Sequence, residues 1–239
     1  MEILYTPKQI NLPTTISIGT FDGVHRGHRF VIEYANELAK RYHYANMIIT
    51  FDPHPRFVLA EEIQAHFLLT TLEEKLEILS QMPVDIVYIQ KFTKEFSQLT
   101  PEGFIKILKE NFNMKALVMG YDHSFGVNRS GSYEDIKALS YKYNFFLYKF
   151  QPFVDDGVFI SSTKIRNLLI KGFVSEANKL LGYNYFIKGR VIEGSKIGRQ
   201  LGFPTANIGE IADEKIIPGS GVYIIRAFVE DEQYRGIMN

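Results

Sequence analysis

The 239-residue chain contains no cysteine, which excludes disulfides, thiolate nucleophiles and zinc–thiolate sites and suits a reducing compartment. It carries no net charge either, because 27 Lys and Arg balance 27 Asp and Glu. No broad basic field therefore exists to attract nucleic acid, and any phosphate ligand must be held by local geometry. No stretch approaches the ~20 apolar residues of a membrane span. The opening residues MEILYTPKQINLPTT lack a basic region followed by an apolar core, so they do not read as a secretory signal. Repeats and low-complexity segments are absent from the sequence as well. These absences predict a cytoplasmic protein without membrane or nucleic-acid partners. A hydrophobic content of 46% with 23% charged residues predicts an ordinary globular core.

What is present, up to Gly182, is an alternation of two periodicities. Strand-like segments fall at 14–21, 45–51, 85–90, 115–120 and 145–153, and helical segments at 30–42, 71–82, 101–112, 132–143, 161–172 and 174–182. Phe30, Tyr34 and Leu38 share one helical face, as do Leu72, Leu76 and Leu79, and Phe104 stacks with Ile107 and Leu108 behind Pro101 near a first helical turn. Strands alternating with helices of this length predict an α/β fold: a five-stranded parallel sheet covered by helices on both faces. After Gly182 strand-like segments are separated by Gly-rich turns with no helical period. The boundary is drawn there, giving units 1–182 and 183–239, the second an all-β unit of barrel type. With so few residues that second unit is thin for an independent core.

In open parallel sheets ligands bind beyond the carboxyl ends of the strands. Four polar clusters take that position: GTFDGVHRGH (19–28), FDPHPR (51–56), GYDHSFGVNRSG (120–131) and ISSTKIR (160–166). Gly19 and Gly23 allow close backbone approach to a ligand. His25 and His28, three apart at a helix start, would lie on one face beside unpaired N–H groups and partial positive charge, which suits phosphate. Two imidazoles there could stabilise charge building in a transition state. Solvated histidines on a capped helix are the plainer reading. A metal site completed by Asp22, Asp52 or His54 is another. Ser161, Ser162 or Thr163 can cap the next helix, with Arg166 one turn on; a capping hydroxyl alone would explain the serines. Two prolines around His54 stiffen that loop, whose plain reading is a rigid turn.

In this order the four clusters resemble the adenylyltransferase module of bacterial bifunctional riboflavin kinase/FAD synthetases. GRVIEGSKIGRQLGFPTANI (189–208) resembles the start of that family's riboflavin kinase module. The resemblance implies a Rossmann-like HxGH nucleotidyltransferase, an element shared with class I aminoacyl-tRNA synthetases. No KMSKS-like loop and no anticodon-binding mass accompany it here, so a synthetase reading is poor. It further implies transfer of AMP from ATP to the phosphate of FMN, giving FAD and pyrophosphate with Mg2+, and no covalent enzyme intermediate. By motif match His25 and His28 would contact the ATP phosphates, with His28 closest to the developing charge. Ser162, Thr163 and Arg166 would hold the β/γ end and help pyrophosphate depart. Gly19, Phe21, Asp22 and Gly23 would shape the nucleotide loop. Pro53, His54, Pro55 and Phe125 would line the flavin side, together with Asp122 and Arg129.

In the kinase-like part, Thr205 and Asn207 match residues that in relatives hold magnesium and ATP, and Gly194, Gly198 and Gly202 would form the nucleotide flap. No GK[ST] follows the first glycine, so this is no Walker A loop. Gly-rich β-turns without a ligand would explain the spacing equally well. Relatives continue past YRGIMN with further strands, a helix and the carboxylate that activates riboflavin. The expectation for this chain is therefore an open, incomplete barrel with little or no riboflavin kinase activity. Two other functions fit parts of the pattern: a nucleotidyltransferase for another phosphorylated small molecule, and a non-catalytic paralogue that binds flavin nucleotides.

Overall fold

The computed structural model describes residues 1–60, 66–120, 132–150, 154–155, 158–194, 202, 205–230 and 232–239. Its centre is one six-stranded sheet built from β1 (Glu2–Leu4), β2 (Thr14–Ile18), β3 (Ala45–Asp52), β4 (Ile86–Lys91), β5 (Met114–Gly120) and β6 (Phe146–Phe150). All five pairings are parallel, in the order β1-β4-β3-β2-β5-β6. The five strands expected from the sequence take the 3-2-1-4-5 order of a Rossmann sheet, and β1 adds a sixth at the edge beside β4. The order reverses between β2 and β5, and the crevice outside their carboxyl ends is where such sheets bind ligands.

Helices α1 (Arg26–Tyr42), α2 (Pro55–Leu59), α3 (Leu72–Ser80), α4 (Lys94–Ser97), α5 (Pro101–Phe112) and α6 (Tyr133–Tyr143) connect these strands, and α7 (Ser162–Ile170) and α8 (Val174–Leu181) follow them. Their ends are written locally. Thr71 and Glu74 form a capping box at α3, as Ser132 and Asp135 do at α6. The left-handed residues His43, Asn113 and Asn144 close α1, α5 and α6. Side chains alternate across the sheet, as the pleat requires. Met47 and Ile49 of β3 pack with Phe104, Ile105, Leu108 and Phe112 of α5, whereas Ile48 joins Ile32 of α1 and Ile78 and Leu79 of α3.

One further detail differs from expectation. The apolar stripe of α1 is Ile32, Ala35, Leu38 and Ala39, while Phe30 and Tyr34 sit at the sheet edge against Phe150 and Tyr148. In keeping with the open, incomplete β unit that was expected, the described residues that follow α8 form separate antiparallel pairs. These are β9 (Arg190–Ile192) with β10 (Asn207–Gly209), and β11 (Tyr223–Val229) with β12 (Glu232–Met238). A further pair, β7 (Val154–Asp155) with β8 (Val158–Phe159), precedes α7. No described helix is long and apolar enough to cross a membrane.

Candidate active site

The chain leaves β2 into a loop whose backbone takes up positions that side chains avoid. Phe21 has φ +46°, Gly23 +78° and Val24 +35°. For a β-branched residue this is an outlier that persists only where its surroundings enforce it. Here they do. The Gly23 N–H donates to Thr70 Oγ1 at 3.0 Å, the Tyr183 hydroxyl donates to the Gly23 carbonyl at 2.8 Å, and Arg29 Nε donates to the Val24 carbonyl at 3.2 Å. The φ of Gly23 favours glycine, and a Cβ there would lie 2.8 Å from Leu69 Cδ1, so that Leu69 would have to shift. Gly19 lies beneath the Phe21 ring.

His25 is the N-cap of α1. Its Nδ1 accepts the His28 N–H at 3.3 Å, which places the proton of the neutral ring on Nε2. The two imidazoles stack with centroids 3.6 Å apart and planes 15° apart, and the Phe21 ring meets His28 edge-on. Gly27 makes room for this stack, since a Cβ there would press the His25 ring at 3.2 Å. Burial, opposed by Asp22, lowers the His25 pKa to about 4, so the ring is neutral at pH 7. His54 repeats the device at α2. Its Nδ1 accepts the Arg56 N–H at 3.2 Å, and burial first, with Asp22 opposing, lowers its pKa to about 4. His54 follows the cis Asp52–Pro53 peptide, and Pro55 opens α2.

The ISSTKIR segment reaches the same place. Ser161 caps α7, while Ser162 Oγ donates to the Asp22 carbonyl at 3.1 Å, so the starts of α1 and α7 meet at the end of β2. Thr163, next on α7, is exposed. Arg166 Nη2 donates to Asp22 Oδ2 at 2.5 Å and its Nε to the Phe67 carbonyl at 2.9 Å. The Asp22 oxygens also accept the Leu69 and Thr70 N–H groups at 3.0 and 3.1 Å, and the residue is 1% exposed. The Asp22 carboxylate is thus filled by protein donors and turned inward, within the loop that it is expected to shape; Arg166 likewise directs two of its donors inward.

Several participants were not anticipated. Residues 66–70 form a strap across the loop, with Phe67 beneath the guanidinium groups of both Arg56 and Arg166. Lys75 is buried, and its ammonium donates to Thr50 Oγ1 at 3.3 Å. Burial lowers its pKa while Asp22 and Asp52 oppose the shift. A lysine in helical register with Leu72 and Leu79 is a polar break in an apolar stripe, the signal that could have marked it.

Asp122, Phe125 and Arg129, expected on the flavin side, lie outside the described residues, as does Gly198 of the kinase-like flap. Gly194 and Asn207 come together across β9 and β10, close enough that a Cβ on Gly194 would collide with the Asn207 carboxamide. Thr205 and Gly202 are exposed, the latter at φ +79° with nothing within 4 Å of the place a Cβ would occupy. The described histidines and carboxylates do not build a magnesium cage. Among the described residues no three His, Asp or Glu side chains cluster as metal ligands, and the one carboxylate on the loop is saturated. No protein-held metal enters the chemistry below.

The FAD synthetase family model matches residues 8–164 and the riboflavin kinase family model residues 181–239. A bifunctional riboflavin kinase/FMN adenylyltransferase of Listeria monocytogenes is 37% identical over 233 residues, covering 97% of this chain and 73% of the relative. The Bacillus subtilis protein of the same name is 36% identical over 233 residues with the same coverage. A crystal structure described as a macrolide-efflux protein from Streptococcus pneumoniae superposes with a TM-score of 0.86 at 28% identity, covering 99% of this chain and 78% of that one. With its strand order, its paired helix starts and its stacked histidines now accounted for, the chain belongs to the bifunctional riboflavin kinase/FMN adenylyltransferase family.

Proposed function

We propose that the chain transfers AMP from ATP to FMN, with residues 1–182 carrying the reaction and 183–239 forming a kinase-like unit. The observation that carries this reading is the meeting of two helix N-termini, α1 and α7, beside a stacked histidine pair at the end of β2. Helix N-termini offer unpaired N–H donors and partial positive charge, the environment that a triphosphate needs. An oxygen of the FMN phosphate attacks the α-phosphorus of ATP. A new P–O bond forms, the bond from the α-phosphorus to the bridging oxygen breaks, and pyrophosphate leaves.

A phosphate nucleophile is already anionic, so the residues need only align and neutralise charge. His28 and the Nε2–H of His25 supply donors to phosphoryl oxygens. Ser162, Thr163 and the start of α7 receive the departing end, and Asp22 and Arg166 lock the two helices in register. Pro53, His54 and Pro55 border the flavin side. Magnesium suits this reading as a counter-ion carried by the triphosphate itself. Gly194 and Asn207 support a nucleotide subsite in the kinase-like unit.

The test is incubation of the purified chain with ATP, magnesium and FMN, followed by chromatography for FAD and an assay for pyrophosphate. FAD with equimolar pyrophosphate is the expected result. Flavin bound without turnover, or product formed only with another phosphate acceptor, would overturn the proposal.

A further inference from the structure

We infer that Lys215, which lies in the segment matched by the riboflavin kinase model, is a positioning residue for the adenylyl-transfer site; the inference rests on the reaction proposed above. Residues 213–219 run alongside the strap. The His66 N–H donates to the Asp213 carbonyl at 2.9 Å, the Leu68 N–H to the Glu214 carbonyl at 2.6 Å, and the Ile216 N–H to the Leu68 carbonyl at 2.9 Å. At the middle of this seam the Lys215 ammonium donates to the Leu69 carbonyl at 2.8 Å and to Glu74 Oε2 at 2.6 Å. Both charged side chains are 2% exposed. The rings of Tyr185 and Phe186 close over the ammonium at 4.5 and 5.1 Å.

Glu74 Oε2 also accepts the Thr71 N–H at 3.0 Å, completing the capping box of α3. Lys215 thus fixes Leu69 directly through its carbonyl and Thr71 through Glu74. Between these anchors the Leu69 and Thr70 amides face the other way and hold Asp22, and Thr70 Oγ1 holds Gly23. Asp22 in turn holds Arg166, and its carbonyl receives Ser162. A continuous set of bonds therefore runs from Lys215 to the starts of both phosphate-facing helices. Buried ion pairs are often replaceable by uncharged groups at little loss of stability. What this pair supplies is the placement of three consecutive strap residues.

The experiment compares the full chain with K215M/E74Q, in which glutamine keeps an oxygen for the Thr71 amide, and with E74Q alone, which keeps both bonds without the negative charge. The double variant should remain folded and bind FMN, followed by flavin fluorescence, within twofold of the parent, while kcat falls at least tenfold. E74Q should stay within threefold in kcat. Amide hydrogen exchange at Leu69 and Thr70 should quicken at least tenfold in the double variant, with β3 and β4 unchanged, a readout independent of turnover. Parental kcat and parental exchange in the double variant would overturn the inference, as would equal losses in FMN binding and kcat. If the double variant does not fold, K215Q/E74Q is measured, uncharged and polar but with a side chain too short to span both acceptors: a lower kcat at parental FMN affinity supports the inference, and parental kcat overturns it. A parent chain that forms no FAD overturns the proposed reaction instead, and the exchange data alone then judge the strap.

Discussion

Arg166 lies with its guanidinium carbon 3.9 Å from the Phe67 ring centre and Nη2 2.5 Å from Asp22 Oδ2. One side chain thereby fastens α7 to both the glycine loop and the strap. The pair is dry, at 11% and 1% side-chain exposure. Removing one partner of such a pair leaves a buried charge uncompensated, at a cost of about 3–5 kcal/mol. Asp22→Ala should lose that amount in urea denaturation, and a loss below about 1 kcal/mol would show the pair to be as dispensable as a surface contact.

His28→Ala should leave the thermal midpoint near the parent and lower turnover to FAD by ~10²-fold or more, the usual effect of deleting one electrostatic donor. The ring stacks on His25 and meets Phe21 but spans no core layer. Turnover within threefold of the parent would remove His28 from the chemistry.

The buried histidine at the start of α1 makes stability depend on pH. Unfolded histidine titrates near 6.5, whereas burial holds His25 at about 4 in the folded chain. Between these values the unfolded state binds a proton that the folded state refuses. The contribution is therefore fully present above pH 6.5, is lost as pH falls through the window, and changes no further below 4. At pH 5 the loss from His25 is about 2 kcal/mol relative to pH 7. His25→Asn keeps an acceptor at the N-cap and should make the denaturation profile between pH 7 and 5 distinctly shallower, with the buried His54, also held at about 4, supplying the slope that remains. A variant with the parent's slope would refute the assignment.

Gly23 and Gly202 form a built-in comparison. Both are left-handed, at φ +78° and +79°, but a Cβ meets Leu69 at 2.8 Å in the first case and nothing within 4 Å in the second. Gly202→Ala should lose about 1–2 kcal/mol from backbone conformation alone, and Gly23→Ala about 1–3 kcal/mol more from overpacking. Gly23→Ala should also depress FAD formation. Equal losses at the two sites would mean that Leu69 yields freely.

Most of the sheet was legible because β2 through β6 are long enough to show apolar runs and are separated by periodic helices. β1 was not. It has only the residues Glu2, Ile3 and Leu4, of which Leu4 alone is buried, and its partner Ile86–Tyr88 is remote in sequence. Of the site, the glycines, histidines and serines announce themselves because turns, caps and phosphate contacts demand those residue types at short spacing. The strap carries no such mark. Thr70 acts through its amide and one hydroxyl, and Lys215 is an ordinary charge between Glu214 and Ile216 until the fold sets it against Glu74. Pairs more than a hundred residues apart leave no local pattern. The same holds for the neutral state of His25, which follows from enclosure rather than from its neighbours in the chain.

The way His25 begins its helix also restricts what it can do during turnover. A ring whose Nδ1 is engaged by the His28 amide could take up a proton there only by giving up the cap bond of α1. It is a fixed hydrogen donor rather than a relay, and a centre furnished with it offers little help to an alcohol that must first be deprotonated. In the reaction proposed above, such a centre would favour acceptors that arrive already ionised, a chemical filter built from one cap.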